Sequence, residues 1–144
     1  MYEQLKLDNQ LCFRLYTASR MIAGAYGPYF EPLRITYPQY LVLLILWEKD
    51  QQPVNDIAKR LYLETNTVTP LLQRMERQGL VTRVKGEVDT RQRIVCLTKA
   101  GKAMEEKAKD IPNQLGAEVI KHVSADELKS IIPSLDKLIE GLKD

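Results

Sequence analysis

The stretch Val54-Asn-Asp-Ile-Ala-Lys-Arg-Leu-Tyr-Leu63, continued by Glu64-Thr-Asn-Thr-Val-Thr-Pro-Leu-Leu-Gln-Arg-Met-Glu-Arg-Gln-Gly79, decides the fold. Val54, Ile57, Ala58 and Leu61 recur at helical spacing in its first half, and Val68, Leu71, Leu72 and Met75 do so in its second. Two short amphipathic helices joined by a tight turn at residues 63–66 read as a helix-turn-helix. Gly79 suits the position just past the second helix, where a left-handed backbone is favoured. Pro70 fits that helix only within its first turn, where a missing N–H matters least. The outward positions are Asn66, Thr67, Thr69, Gln73, Arg74 and Arg77, all able to make hydrogen bonds or ion pairs.

Working outward, Leu80-Val-Thr-Arg-Val84 and Arg93-Ile-Val-Cys-Leu97 are two runs rich in β-branched residues. The polar Lys85-Gly-Glu-Val-Asp-Thr-Arg-Gln92 lies between them, so the pair predicts a hairpin with a long charged tip. Upstream, residues 37–48 are nearly all apolar and predict a central helix, opened by a capping box of Thr36 and Gln39. Asp50-Gln-Gln-Pro53 reads as a turn. Residues 7–26 predict a first helix too polar for the core, capped at Asp8 or a neighbour, with Leu11, Leu15, Ala18, Ile22 and Ala25 in register. Downstream, Thr98 caps a helix to about residue 110, which Pro112 ends or kinks. Ser124-Ala-Asp-Glu127 is a second capping box, opening a last helix that carries Leu128, Ile131, Ile132, Leu135, Leu138, Ile139 and Leu142 and that Pro133 should bend.

The expected fold is mainly α with a small β-hairpin wing, a winged helix-turn-helix within one domain over 1–144. A chain of 144 residues with 44% hydrophobic and 28% charged residues has ordinary globular composition. The longest apolar run, residues 40–47, is far shorter than the roughly 20 residues that cross a bilayer. The N-terminus lacks a signal peptide's layout, so a cytoplasmic location without membrane association is expected. One histidine and two cysteines cannot assemble a zinc site, and neither metal nor cofactor is expected. The net charge is only +2, yet residues 59–93 hold eight basic against four acidic side chains. A basic segment in a slightly acidic body predicts a polyanion-binding face.

That face suits duplex DNA. The second helix, showing Asn66, Thr67, Thr69, Gln73 and Arg74, would enter the major groove. Arg91 at the hairpin tip suits the narrow, strongly negative minor groove, with Asp89 holding the guanidinium by an ion pair. Arg74, Arg77 and Lys85 would mainly contact phosphate.

Leu80-Val-Thr-Arg83, Asp89-Thr-Arg91 and Leu97-Thr-Lys-Ala-Gly101 resemble the wing signature of the MarR-type winged-helix regulators, and the likeness extends over essentially the whole chain. Leu7-Asp-Asn-Gln-Leu-Cys-Phe13, Ile35-Thr-Tyr-Pro-Gln-Tyr40 and Leu46-Trp-Glu48 look like the branch of organic-hydroperoxide-sensing repressors, as do Leu61-Tyr-Leu63 and Leu71-Leu-Gln-Arg-Met-Glu76. Thr65-Asn66 departs from the Ser-Gly of that branch, which bears on base preference. The resemblance implies a homodimeric repressor and not an enzyme. Residues of about 1–35 and 98–144 would dimerise, and about 36–97 would form the DNA-binding lobe.

A lone cysteine between apolar neighbours, as in Gln10-Leu-Cys-Phe13, is most often a small buried hydrophobe. Tyr16, Tyr26, Tyr37 and Tyr40 shift the weight for Cys12, because phenolic O–H groups can donate to a thiolate and favour it. Tyr16 is one helical turn from Cys12. Tyr26 is 14 residues away, about 21 Å along a helix, and cannot reach the thiol of its own chain. The resemblance implies that Tyr26 and Tyr37 of one subunit hold the Cys12 of the other across a two-fold axis. Tyr16, Tyr29 and Tyr40 read equally as pocket lining or as core. Cys96 reads as structural, and the resemblance implies the one-cysteine type. Oxidised Cys12 would pass through sulfenic acid toward a mixed disulfide with a low-molecular-weight thiol, a sulfenamide or overoxidation. The alternative is a MarR-type regulator that binds a small aromatic or phenolic ligand non-covalently, with Cys12 as filler.

Overall fold

In a computed structural model, which describes residues 1–143, the chain forms two compact units, Met1–Tyr37 and Pro38–Asp144. The first holds two short 3-10 turns, then helix α1 (Leu11–Ala25) and the single turn α2 (Gly27–Phe30). Of the caps expected at Asp8 or a neighbour, the structure uses a residue two positions on. Gln10 is the N-cap, and its side-chain Nε2 donates to the carbonyls of Gln4 and Lys6 (2.8 and 2.9 Å), so the helix starts at Leu11. Asn9 Nδ2 likewise ties the turn before it to the Glu3 carbonyl (2.7 Å). No residue of α1 is buried, as expected of a helix outside the core, yet Leu11, Phe13, Met21 and Ile22 leave it with an exposed apolar surface. Past it, Phe30 and Ile35 are buried, and the Tyr26, Phe30 and Tyr37 rings form one cluster.

The second unit is built on α3 (Tyr37–Glu48), whose Tyr40, Val42, Leu43, Ile45 and Leu46 are buried, as a nearly all-apolar helix requires. Gln39, in the first turn of α3, is buried and donates from Nε2 to Gln78 Oε1 at 2.8 Å. The segment expected to be a plain turn contains a strand, β1 (Gln52–Pro53), antiparallel to the wing. Then come α4 (Val54–Arg60) and α5 (Thr65–Arg77). The turn between them runs over residues 61–64, so Thr65 and Asn66 belong to the first turn of α5 and not to the connection. Val68, Leu71, Leu72 and Met75 are buried on one side of α5. Pro70 is its sixth residue and not in the first turn, which removes one ladder bond at the Asn66 carbonyl. Gly79 takes φ +77° just past the helix, the conformation expected of it.

The wing is β2 (Val81–Lys85) and β3 (Arg93–Leu97), and the sheet order is β1-β3-β2 with Arg83 opposite Val95 and Lys85 opposite Arg93. Asp50 Oδ1 accepts the Leu97 N–H (2.8 Å), pinning the turn before β1 to the far end of β3. Thr98 caps α6 (Lys99–Ala108), accepting from the Gly101 N–H at 3.1 Å. Pro112 ends no structure. It lies in the first turn of α7 (Ile111–Val119), a separate helix that the sequence reading missed. The capping box of Ser124 and Glu127 opens α8 (Ala125–Leu142), which continues through Pro133 and buries none of its residues. Among the described residues no helix is long and apolar enough to cross a membrane.

Candidate redox site and nucleic-acid interface

Because α1 begins at Leu11, Cys12 is in its first turn and is exposed. Gln10 offers no side chain to the first-turn N–H groups, and the positive end of the helix dipole lies at the sulfur. Tyr16, one turn on, is also exposed. Tyr26 is the C-cap at the opposite end of this 15-residue helix, so the two ends stand about 20 Å apart. There the Tyr26 ring stacks on Phe30 (centroids 4.9 Å, 17° between planes) and tilts against Tyr37 (5.1 Å). The structure thus brings Tyr26 and Tyr37 together and keeps Tyr26 far from the Cys12 of its own chain. Tyr29 is half-buried and Tyr40 buried, so Tyr40 is core. Cys96, in β3, is half-buried, with Sγ 3.9 Å from the Ile94 carbonyl. Burial, and secondarily the Asp50 charge, push its thiol above the ordinary cysteine range, against a weaker pull from Lys102.

The second candidate surface lies in the other unit. On α5, Asn66, Thr67, Gln73, Arg74 and Arg77 are exposed opposite the buried apolar row. Thr69 is half-buried and spends its hydroxyl proton on the Thr65 carbonyl (2.9 Å). Lys85 is exposed at the end of β2. The tip is held by backbone bonds from Gly86 N–H to the Gln92 carbonyl and from Gln92 N–H to the Asp89 carbonyl, both 3.1 Å. Gly86 is required, since a Cβ there would lie 2.5 Å from the Asp89 carbonyl oxygen. Asp89 pairs with Arg91 as the spacing predicted.

An open cleft of about 500 Å³ separates the start of α5 from the wing, lined by Asn55, Thr65, Thr69, Arg83, Arg91 and Arg93 among others. Asn55, Thr65, Arg83 and Arg93 were not among the residues the sequence singled out. One signal was legible, since pairing two antiparallel runs sets Lys85 opposite Arg93. Like charges directly opposite repel, so this pairing marks a local concentration of positive charge at the base of the tip.

The MarR family model matches residues 35–92. The chain is 43% identical over 141 residues to the organic hydroperoxide resistance transcriptional regulator of Bacillus subtilis (strain 168), covering 98% of this chain and 95% of that one. The chain belongs to the MarR family. Among solved structures it resembles AbfR of Staphylococcus epidermidis. The reduced, DNA-bound form has 37% identity, TM-score 0.81, and coverage of 99% and 98% of the two chains. The overoxidized, DNA-bound form has 39% identity, TM-score 0.77 and 97% coverage of each.

The expected winged-helix fold is therefore the MarR fold, and these MarR relatives are transcriptional regulators, not enzymes. The arrangement of α4, α5 and the wing, two helices followed by a charged hairpin, is the winged helix-turn-helix order.

Proposed function

We propose that this MarR-family regulator is a homodimeric repressor that leaves its DNA operator when Cys12 is oxidised by an organic hydroperoxide. The observation that carries the reading is the construction of α1, with an exposed cysteine in its first turn and a tyrosine cluster at its far end. A thiol and phenols a helix length apart meet only if two such helices run past each other antiparallel, which a two-fold dimer supplies. Tyr26 and Tyr37 of one subunit then donate to the Cys12 thiolate of the other, and Tyr16 lines the same pocket. Exposed apolar residues support the dimer, with Leu11 and Ile22 on α1 and Ile131, Ile132, Leu138 and Leu142 on α8, beside the half-buried Leu128 and Leu135. The names of the Bacillus subtilis relative and of the AbfR redox forms support a redox trigger.

On the DNA side, Asn66, Thr67, Thr69 and Gln73 read the major groove, and Arg74, Arg77 and Lys85 meet phosphate. Arg91, steadied by Asp89, enters the minor groove. Two reading heads on a two-fold axis imply half-sites about 34–36 Å apart.

Chemically, the thiolate attacks the outer peroxide oxygen and the O–O bond breaks. The products are Cys12 sulfenic acid and an alkoxide, which takes a proton to become the alcohol. A low-molecular-weight thiol can then displace water to give a mixed disulfide. The new group disrupts the phenol contacts between subunits and changes the spacing of the heads. A 100-fold loss of affinity needs about 2.7 kcal/mol of coupling.

The test uses a duplex selected by the reduced protein from a randomised pool. Cumene hydroperoxide should release the wild-type protein and leave a Cys12→Ser variant bound. Release of that variant at the wild-type dose would overturn thiol sensing. Release of both proteins by a simple phenol without oxidant would favour a non-covalent ligand instead.

A further inference from the structure

Glu76 is the only acidic residue within α5, and it stands between Arg74 and Arg77 on the helix that would approach a polyanion. By charge alone it weakens DNA binding, so its presence calls for another role. Its geometry supplies one. Both carboxylate oxygens are committed to one residue of β2. Oε2 accepts the Arg83 backbone N–H at 3.1 Å, and Oε1 accepts from the Arg83 guanidinium at 3.4 Å. In the order β1-β3-β2, β2 is an edge strand, and Glu76 takes a backbone donor that has no strand beside it.

The Arg83 side chain is only 19% exposed, and its Nε is buried without a hydrogen-bond partner among the described residues. A largely desolvated guanidinium with one unsatisfied N–H is poorly placed for its own sake. It is confined by Glu76 at the floor of the cleft that also holds Arg91. A lysine would keep the charge and the backbone N–H but not the planar guanidinium that lies against Glu76.

We infer that Glu76 and Arg83 are a positioning pair that fixes the angle between α5 and the wing, so that the groove-reading face and Arg91 engage one duplex together. This rests on the reading of the chain as a DNA-binding regulator. The pair acts on discrimination between sequences, not on overall affinity, because a free wing still contributes charge but no longer arrives in register.

The variants Glu76→Ala and Arg83→Lys test it on the dimer, with a duplex selected by the wild-type protein and an unrelated duplex of equal length. Glu76→Ala should bind the unrelated duplex as tightly as wild type or more so. Its preference for the selected duplex should fall about tenfold, with loss of minor-groove hydroxyl-radical protection where the wing lies. Arg83→Lys keeps the charge and the backbone N–H and should shift in the same direction by less. Unchanged preference and footprint in both variants would overturn the inference. So would proportional weakening on both duplexes with a lowered melting temperature, the mark of a merely structural role. If Glu76→Ala fails to fold, Glu76→Gln, which retains an acceptor for the Arg83 N–H, takes its place beside Arg83→Lys. A wild-type protein without salt-dependent affinity for any duplex would instead sink the regulator reading itself.

Discussion

Asp89 grips Arg91 at three atoms. Oδ1 accepts the Arg91 backbone N–H at 3.0 Å and Nε at 3.2 Å, while Oδ2 accepts from the guanidinium tip at 3.5 Å. The backbone bond and then the side-chain bond hold the Asp89 carboxyl below the ordinary aspartate range. A depressed carboxylate contributes its share above the unfolded-state value and loses it as pH falls through the folded one. The clasp should therefore persist through mild acid. Asp89→Asn should weaken binding to the selected duplex a few-fold. Arg91→Ala should weaken it by about tenfold or more and lower the salt slope by about one. A salt titration of both variants checks this.

The two thiols should label at different rates. Cys12 is exposed in a helix's first turn, whereas Cys96 is half-buried with its thiol pushed up by burial and by Asp50. Iodoacetamide near neutral pH should modify Cys12 first, and Cys96 should catch up only as pH rises. Peptide mass spectrometry reads both sites, and equal rates near neutrality would contradict the assignment.

Tyr26→Phe separates the hydroxyl from the ring. Stacking on Phe30 at 4.9 Å needs only the ring, so the fold should survive with a loss of about 1 kcal/mol or less. On the proposed function, the rate of Cys12 sulfenic acid formation, followed by dimedone trapping, should fall about tenfold, because the phenol assigned to the other subunit's thiolate would be gone.

Gly101 is fixed by a close approach. A Cβ would sit 2.2 Å from the Leu80 carbonyl oxygen, which is backbone and cannot swing aside. The Gly101 carbonyl also accepts the Trp47 indole N–H at 3.0 Å. Gly101→Ala should cost about 3 kcal/mol in urea denaturation. Gly79→Ala, in open space but at φ +77°, should cost only about 1 kcal/mol.

What the sequence disclosed follows from how local each signal is. Thr98, Ser124 with Glu127, and Gly79 act within one helical turn, so their roles were visible in the chain itself. The apolar row of Val68, Leu71, Leu72 and Met75 identified the buried side of α5 by spacing alone. Features that depend on distant partners were hidden. Pro53 and Gln52 form a strand only because Ile94 and Val95 lie alongside. The Gln39 bond to Gln78 joins residues 39 positions apart and left no local trace. Pro112 was read as a terminator when it opens α7, because the same ring that ends one helix suits the first turn of the next. At the candidate site, the distance between Cys12 and Tyr26 was legible from helical rise. Tyr40 was open between pocket and core, and burial makes it core. Glu76 and Arg83 could not be paired from sequence, since seven residues and a reversal of direction separate them.

Pro53 closes strand β1 and, as the residue before Val54, serves as the N-cap of α4. No slack exists between the hairpin sheet and the first helix of the reading pair. The inner strand β3 is thus coupled to α4 through Pro53, while the edge strand β2 is tied to α5 through Glu76 and Arg83. On the proposed function, with both strands of the wing anchored to the helices beside it, release from a duplex should come from whole heads shifting relative to each other more than from the hairpin letting go alone.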